Sequence, residues 1–426
     1  MNNKFLKPRL AVMLFLEFAV WGAYLTSMGR YLGNVGLAQH IGWFYSVQGF
    51  VSIFMPGLMG VVADRWIPAQ RLLGICHLLA GLFMGSAAYY GMTAGANVEM
   101  ATLFTLYTLS VAFYMPTIAL SNSVAFTGLI NAGMDTVKDF PPIRVFGTIG
   151  FICTMWAVDL MGFMADYNQF FVSAALSIGL AVFAQTLPHC PVNSKHERKS
   201  LVESLGFDAF VLFKQRKMAI FFIFSMLLGV SLQITNGYAN PFISSFAAEP
   251  EYADTFGVAH AGILISLSQI SETCCILLIP FFMKRFGIKR VMMIAMLAWV
   301  LRFGLFAIGD PGTGVWLLLL SMLVYGVAFD FFNISGALFV DQSTKPEIRS
   351  SAQGLFMIMT NGLGATFGML MAQAVVNHYT EMKEVGGNFF QVGNWDTIWF
   401  IFAGYALAVL LHFALCFKEQ GKAKEQ

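Results

Sequence analysis

A chain of 426 residues with 58% hydrophobic and 11% charged side chains carries less than half the charge of a soluble domain, where about 25% is usual. Apolar blocks of about 20 residues, long enough to cross a bilayer as helix, recur from end to end, which excludes a soluble class and marks an all-α polytopic membrane protein. A net charge of +2, with the basic residues spread over short loops, implies no acidic partner and excludes nucleic acid.

The pattern predicts twelve spans. The first, 10–32, contains Glu17 and Tyr24 and has no small-residue cleavage site, so it reads as an uncleaved span rather than a removed signal. Spans two (41–63) and three (70–92) flank a tight charged turn at Asp64-Arg65. Span three holds His77, a lone histidine that reads as packing. Span four covers 100–124. Span five (143–163) opens on FPPIRVFGTIGF: Pro142 suits a first helical turn, and Arg144, Thr148 and Phe151 then share a face at spacings of four and three. Asp159 lies near its end, and span six covers 168–187.

A polar, basic stretch, 189–217, divides the chain into an N-terminal half, 1–188, and a C-terminal half, 218–426. Span seven (218–245) carries Gln233 and Asn236 three residues apart, with Gly237 and Pro241 loosening the helix beyond them. Span eight (257–283) places Ser266, Gln269 and Glu272 or Thr273 on one polar stripe. Span nine (289–308) contains Arg302. In span ten (314–340) Tyr325 and Phe329 are four apart and Asp330 and Asn333 three apart, so an aromatic and a polar face adjoin. Spans eleven (348–377) and twelve (394–417) close the chain.

All but three of the 25 Lys and Arg fall on the side of the N-terminus; Arg30 and Lys383 lie opposite and Arg302 is within a span. That bias predicts both termini in the cytoplasm. None of Cys76, Cys153, Cys190, Cys274, Cys275 and Cys416 falls in an outer loop, so no structural disulfide is expected. The halves repeat: VAFYMPTIALSNSV (111–124) aligns with VAFDFFNISGALFV (327–340), and GVVADRWIPAQR (60–71) occupies the place of IPFFMKRFGIKR (279–290). Parallel six-span halves, each with a charged turn after its second span, describe the major facilitator architecture.

Charges at mid-bilayer cost from about 3 to above 10 kcal/mol, so those placed there should face a cavity or a partner. Glu272 and Asp330 lie well inside spans, and that cost favours a functional role for both. Arg302 and Asp159 read as structural pairing. Arg144 fits either a site or a side chain snorkelling to the surface, and the amides and hydroxyls fit either a site or helix joining. Together the polar faces offer amides and carboxylates for hydroxyls, aromatic faces for a flat ring, and an Arg, a lining suited to a neutral polar solute. No nucleophile elbow, phosphate-binding Gly loop or His-rich metal cluster is present, so neither enzyme activity, a bound metal nor a cofactor is expected.

DFPPIRVFGTIGF (139–151), AIFFIFSMLLGVSLQITN (219–236), SQISET (268–273) and VYGVAFDFFNISG (324–336) resemble the nucleoside:proton symporter family of the major facilitator superfamily; FLEFAVWGAYLTSMG (15–29) and ICHLLAGL (75–82) match it more loosely. The resemblance implies inward transport of purine and pyrimidine nucleosides across the bacterial inner membrane, with the proton as coupling ion, by a protein that acts as a monomer. It carries a substrate-site role onto Arg144, Thr148, Phe151, Gln233, Asn236, Gln269, Glu272, Tyr325 and Phe329, and a site position onto Asp330 as well. Glu17 stands where the family pattern calls for Gln, and Tyr24 where it calls for Trp. The expected division of labour puts Gln233, Asn236, Gln269 and Glu272 on ribose hydroxyls and Phe151, Tyr325 and Phe329 around the base. Arg144 and Thr148 reach the base edge or a carboxylate. Asp330 is the expected proton carrier, desolvated by Phe329, Phe331 and Phe332, with Glu272 and Glu17 as rivals. A transporter of another solute such as a sugar, and a nucleoside sensor without flux, are the competing readings.

Overall fold

The computed structural model describes residues 5–192, 207–345 and 348–417. Residues 193–206 of the dividing stretch, and the basic residues Lys4, Lys195, Arg198, Lys199, Lys418, Lys422 and Lys424 counted in the charge bias, lie outside the described residues. In lipid every backbone group must be satisfied within its own segment, so apolar runs of this length fold as helices. Ten helices among the described residues are long and apolar enough to cross a membrane.

The first predicted span is two helices, α1 (Leu6–Gly22) and α2 (Met28–Asn34), around a turn at 23–27. The turn itself holds no Gly or Pro, though Gly22 and Gly29 flank it. The Tyr45 hydroxyl donates to the Leu25 carbonyl at 2.5 Å, and Ser27 Oγ donates to Gln169 Oε1 at 2.9 Å, so tertiary partners take up polar groups at the turn. Then come α3 (Ile41–Arg65), α4 (Ala69–Ala94), α5 (Met100–Asn131), α6 (Thr136–Leu160) and α7 (Asn168–Phe183). After the undescribed stretch follow α8 (Arg216–Ser245), the short α9 (Phe256–Ala259) and α10 (Ala261–Ile308). Predicted span nine and all but the first few residues of span eight lie in α10, whose 48 residues are interrupted at Gly287, where φ is 77° and ψ 170°; glycine adopts that backbone without penalty.

The remaining helices are α11 (Val315–Ser343), α12 (Arg349–Met357), α13 (Ala365–Tyr379) and α14 (Trp395–Cys416). Between α12 and α13 the chain widens into a π-helical segment, Ile358–Gly364, a local irregularity frequent at functional places. Before α14 stands an element absent from the sequence reading, an antiparallel hairpin of β1 (Thr380–Val385) and β2 (Asn388–Gly393). Its turn, Gly386-Gly387, has φ of 60° and 79°, the mirror-image turn that suits strand twist.

Helices of residues 5–192 pack on one another, as do those of 207–417, and the hydrogen bonds crossing between the two groups cluster toward the hairpin. Arg30 donates to the Phe389 carbonyl at 2.7 Å and lies 3.9 Å over the Phe390 ring. Gln373 Oε1 accepts from the Gly42 amide at 2.7 Å, and Asn377 donates to the Gln39 carbonyl at 3.1 Å. Asp159 lies 2.7 Å from His260 and accepts from the Ile263 amide at 3.0 Å, so one group's carboxylate caps the other group's α10. Asp159 is thus a structural pair, as its place in the sequence suggested. The two groups are sealed together at the hairpin end.

Candidate functional site

Two glycines set the first wall. At Gly150 of α6 an added Cβ would meet the Phe15 backbone, and at Gly22 of α1 it would meet the Phe151 backbone, so α1 and α6 cross with backbones nearly touching. The crossing presents the α6 face predicted from spacing. The Arg144 guanidinium lies 4.0 Å over the Phe18 ring, a cation–π contact, with Gly147 leaving it room: an added Cβ there would stand 2.7 Å from the guanidinium. One turn on, Thr148 is half-buried, and Phe151 is buried edge-on to Trp21 at 6.3 Å. Trp21 is itself fixed by donating to Gln48 Oε1 at 3.2 Å, and Gln48 donates to the Tyr107 hydroxyl at 2.7 Å.

The opposite wall comes from α8, α10 and α11. On α8, Asn236 donates to Gln233 Oε1 at 2.8 Å, so the two amides form a local pair. On α10, Gln269 is buried with its Oε1 unpartnered, and Glu272 is half-buried one turn along. On α11, the Tyr325 and Phe329 rings stack with centroids 5.7 Å apart and planes 7° from parallel. Asp330 is 4% exposed and its Oδ2 has no partner. Unsatisfied buried acceptors cost about 1–3 kcal/mol each, and Gln269 Oε1 and Asp330 Oδ2 are the two on the helix pair that also carries Glu272 and the stacked rings.

Electrostatic contacts tie the walls together. Arg144 interacts with Glu272 across the two helix groups, Glu272 interacts with Asp330, and Tyr325 interacts with Glu272, Asp330 and Arg302. Arg144, Glu272, Tyr325 and Asp330 are thus within electrostatic reach of one another, with no ion pair of 4.0 Å or less among them in the described residues, and Phe329 stacks on Tyr325. Gln233 and Asn236 bond to each other on α8.

Of the three phenylalanines expected around Asp330, Phe331 also packs on Phe282 at 5.0 Å and Phe332 on Phe356 at 6.1 Å, and Asp330 itself is buried, as expected. Several surroundings differ from the expectation. His77, read as packing, lies 2.9 Å from Glu17; Thr117 donates to the other Glu17 oxygen at 2.6 Å, and Ser177 Oγ lies 3.0 Å from the second imidazole nitrogen. Glu17 and His77 are fully buried, and this network joins α1, α4, α5 and α7. Both Glu17 oxygens are thus engaged within residues 5–192, unlike those of Asp330. Arg302 has no carboxylate within ion-pair distance among the described residues; it contacts rings and a backbone carbonyl instead.

A family model described as nucleoside H+ symporter matches residues 4–422. The nucleoside permease NupG of Escherichia coli (strain K12) is 47% identical over 417 residues, 97% of this chain and 96% of that protein. The xanthosine permease of the same strain is 48% identical over 413 residues, 96% of this chain and 95% of that protein. A crystal structure of the nucleoside transporter NupG matches with a TM-score of 0.88 at 47% identity, covering 99% of this chain and 100% of that one.

Proposed function

The chain belongs to the nucleoside H+ symporter family and has the major facilitator fold, and from that premise we propose that it moves nucleosides inward with protons by alternating exposure of the site between α6, α8, α10 and α11. The names of the two relatives, a nucleoside permease and a xanthosine permease, support a nucleoside as substrate. The observation that carries the reading is the pair of unpartnered buried acceptors, Gln269 Oε1 and Asp330 Oδ2, on the two helices that also carry Glu272 and the stacked rings of Tyr325 and Phe329. A nucleoside brings what that combination lacks: hydroxyl donors on a ribose and a flat base for an aromatic face.

In this reading twelve spans cross the inner membrane. The ten long helices become eleven when α10 is divided at Gly287, and the broken run of α1 and α2 makes twelve. Two six-helix halves, 1–188 and 218–426, are joined by the loop 189–217, and the bias of Lys and Arg supports a cytoplasmic loop and cytoplasmic termini. The hairpin then stands outside, and its bonds to Arg30 and Asn34 close the outer side. Gln269 and Glu272 hold the ribose hydroxyls with Gln233 and Asn236 beside them. Phe151, Tyr325 and Phe329 shape the base slot, and Arg144 and Thr148 approach from the first wall. Asp330 is the proton carrier. The networked Glu17 fits a fixed member of its half better than a group that loads and unloads. One chain supplies every part of the site, so a monomer suffices.

Counterflow of labelled uridine in proteoliposomes is the direct test. Purified protein is expected to exchange uridine, with unlabelled nucleosides competing and xylose or maltose at equal concentration having no effect. Competition by sugars but not nucleosides would replace the substrate. Binding without any flux would make the protein a sensor.

A further inference from the structure

We infer that Arg302 is a positioning residue for the base slot: it clamps the Tyr325 ring, and through Tyr325 the stacked Phe329, in one orientation. The inference rests on the nucleoside reading of that slot. Arg302 is 1% exposed in the second part of α10, at a depth where a charge costs several kcal/mol. A residue kept there at such a cost is normally matched by an opposite charge, and among the described residues none lies within ion-pair distance. The guanidinium carbon instead stands 4.5 Å from the Tyr325 ring centre and 5.1 Å from that of Phe306. A planar guanidinium stacks on aromatic faces where an ammonium makes only a point contact.

The clamp is held on several sides. Arg302 donates to the Ser321 carbonyl at 2.9 Å and to Ser268 Oγ at 3.3 Å, while Ser321 Oγ donates back to the Arg302 carbonyl at 2.9 Å. Trp299, three residues earlier on α10, meets Tyr325 edge-on at 5.9 Å and 88°. Tyr325 thus has a cation on one approach, an indole on another and Phe329 stacked at 7°. Its hydroxyl is in electrostatic reach of Glu272 and Asp330. A purely structural Arg302 would pin α10 to α11 and leave the slot's affinity alone; a clamp sets that affinity through Tyr325.

Uridine counterflow by wild type, Arg302→Met, Arg302→Lys, Tyr325→Leu and the Arg302→Met/Tyr325→Leu double variant separates the two. Arg302→Met is expected to raise KM about tenfold with maximal exchange within about twofold of wild type, because misorienting a binding ring weakens positioning first. Arg302→Lys, lacking the flat face, is expected not to restore KM. The double variant is expected to bind no worse than Tyr325→Leu alone, the signature of two residues acting as one. Additive losses, an unchanged KM, or full rescue by Lys would overturn the clamp. Should Arg302→Met fail to fold, Ser268→Ala removes one acceptor from the guanidinium; about a threefold rise in KM is expected, and none would overturn the proposal. A wild type that exchanges no uridine would defeat the nucleoside reading instead. The clamp is then read without substrate, from the Tyr325 contribution to near-ultraviolet circular dichroism, taken by difference against Tyr325→Leu. That contribution changes with Ser268→Ala or Arg302→Met if the ring is clamped, and identical difference spectra would refute it.

Discussion

Asp330→Asn is expected to abolish proton-driven accumulation of nucleoside while leaving counterflow within about threefold of wild type. Asn has the shape of a protonated Asp and keeps a donor and an acceptor at that place, so it holds the site in one protonation state. Asp330 is the carboxylate in this molecule with the most to gain from such a role. It is 4% exposed, one oxygen has no partner, and it interacts with Glu272, which in turn interacts with Arg144 in the other helix group. Two carboxylates in electrostatic contact titrate as a pair. A proton gained or lost at Asp330 therefore bears on Glu272 and on its attraction to Arg144, which links protonation to the closeness of the two groups. Counterflow needs no net proton movement and survives in the variant. Accumulation of labelled uridine against its gradient under an imposed pH difference, measured beside counterflow, checks this; normal uphill accumulation by Asp330→Asn would remove Asp330 from the role.

Glu272→Ala is expected to raise the KM for uridine by about 10–100-fold, following from about 1.5–3 kcal/mol for hydrogen bonds to a charged group. The carboxylate has two tasks in the site, accepting from the ribose and opposing Arg144, and alanine removes both. Gln269→Ala, which removes a neutral acceptor one turn away, is expected to cost about 5–10-fold. Truncated nucleosides tell the tasks apart: 2′-deoxyuridine, with one hydroxyl fewer, should lose less between wild type and Glu272→Ala than uridine does. If Gln269→Ala and Glu272→Ala both take up uridine as wild type does, the assignment of the ribose wall fails.

The helices were legible because crossing a bilayer needs only length and apolarity, which composition carries. Their interruptions were not. The turn at 23–27 contains no Gly or Pro and depends on Tyr45 and Gln169, partners distant in sequence. The hairpin did leave a signal, since Gly386-Gly387 between 380–385 and 388–393 has the form of a two-residue hairpin turn, but the stretch passed as an outer loop. In the site, the face of Arg144, Thr148 and Phe151 and the stack of Tyr325 on Phe329 followed from helical spacing. Glu17 with His77, and Arg302 with Tyr325, did not, because each joins residues on different helices or helix segments and no periodicity reports which faces meet.

The central claim is that nucleoside and proton cross together, and it is tested most directly by placing purified protein in proteoliposomes at equal uridine inside and out and imposing a pH difference, acid outside. The account predicts uridine accumulating inside above the outer concentration, with alkalinisation of the outer medium in step and both lost on adding a protonophore. Uridine equilibrating at the same rate with and without the pH difference, and no proton movement accompanying it, would contradict it.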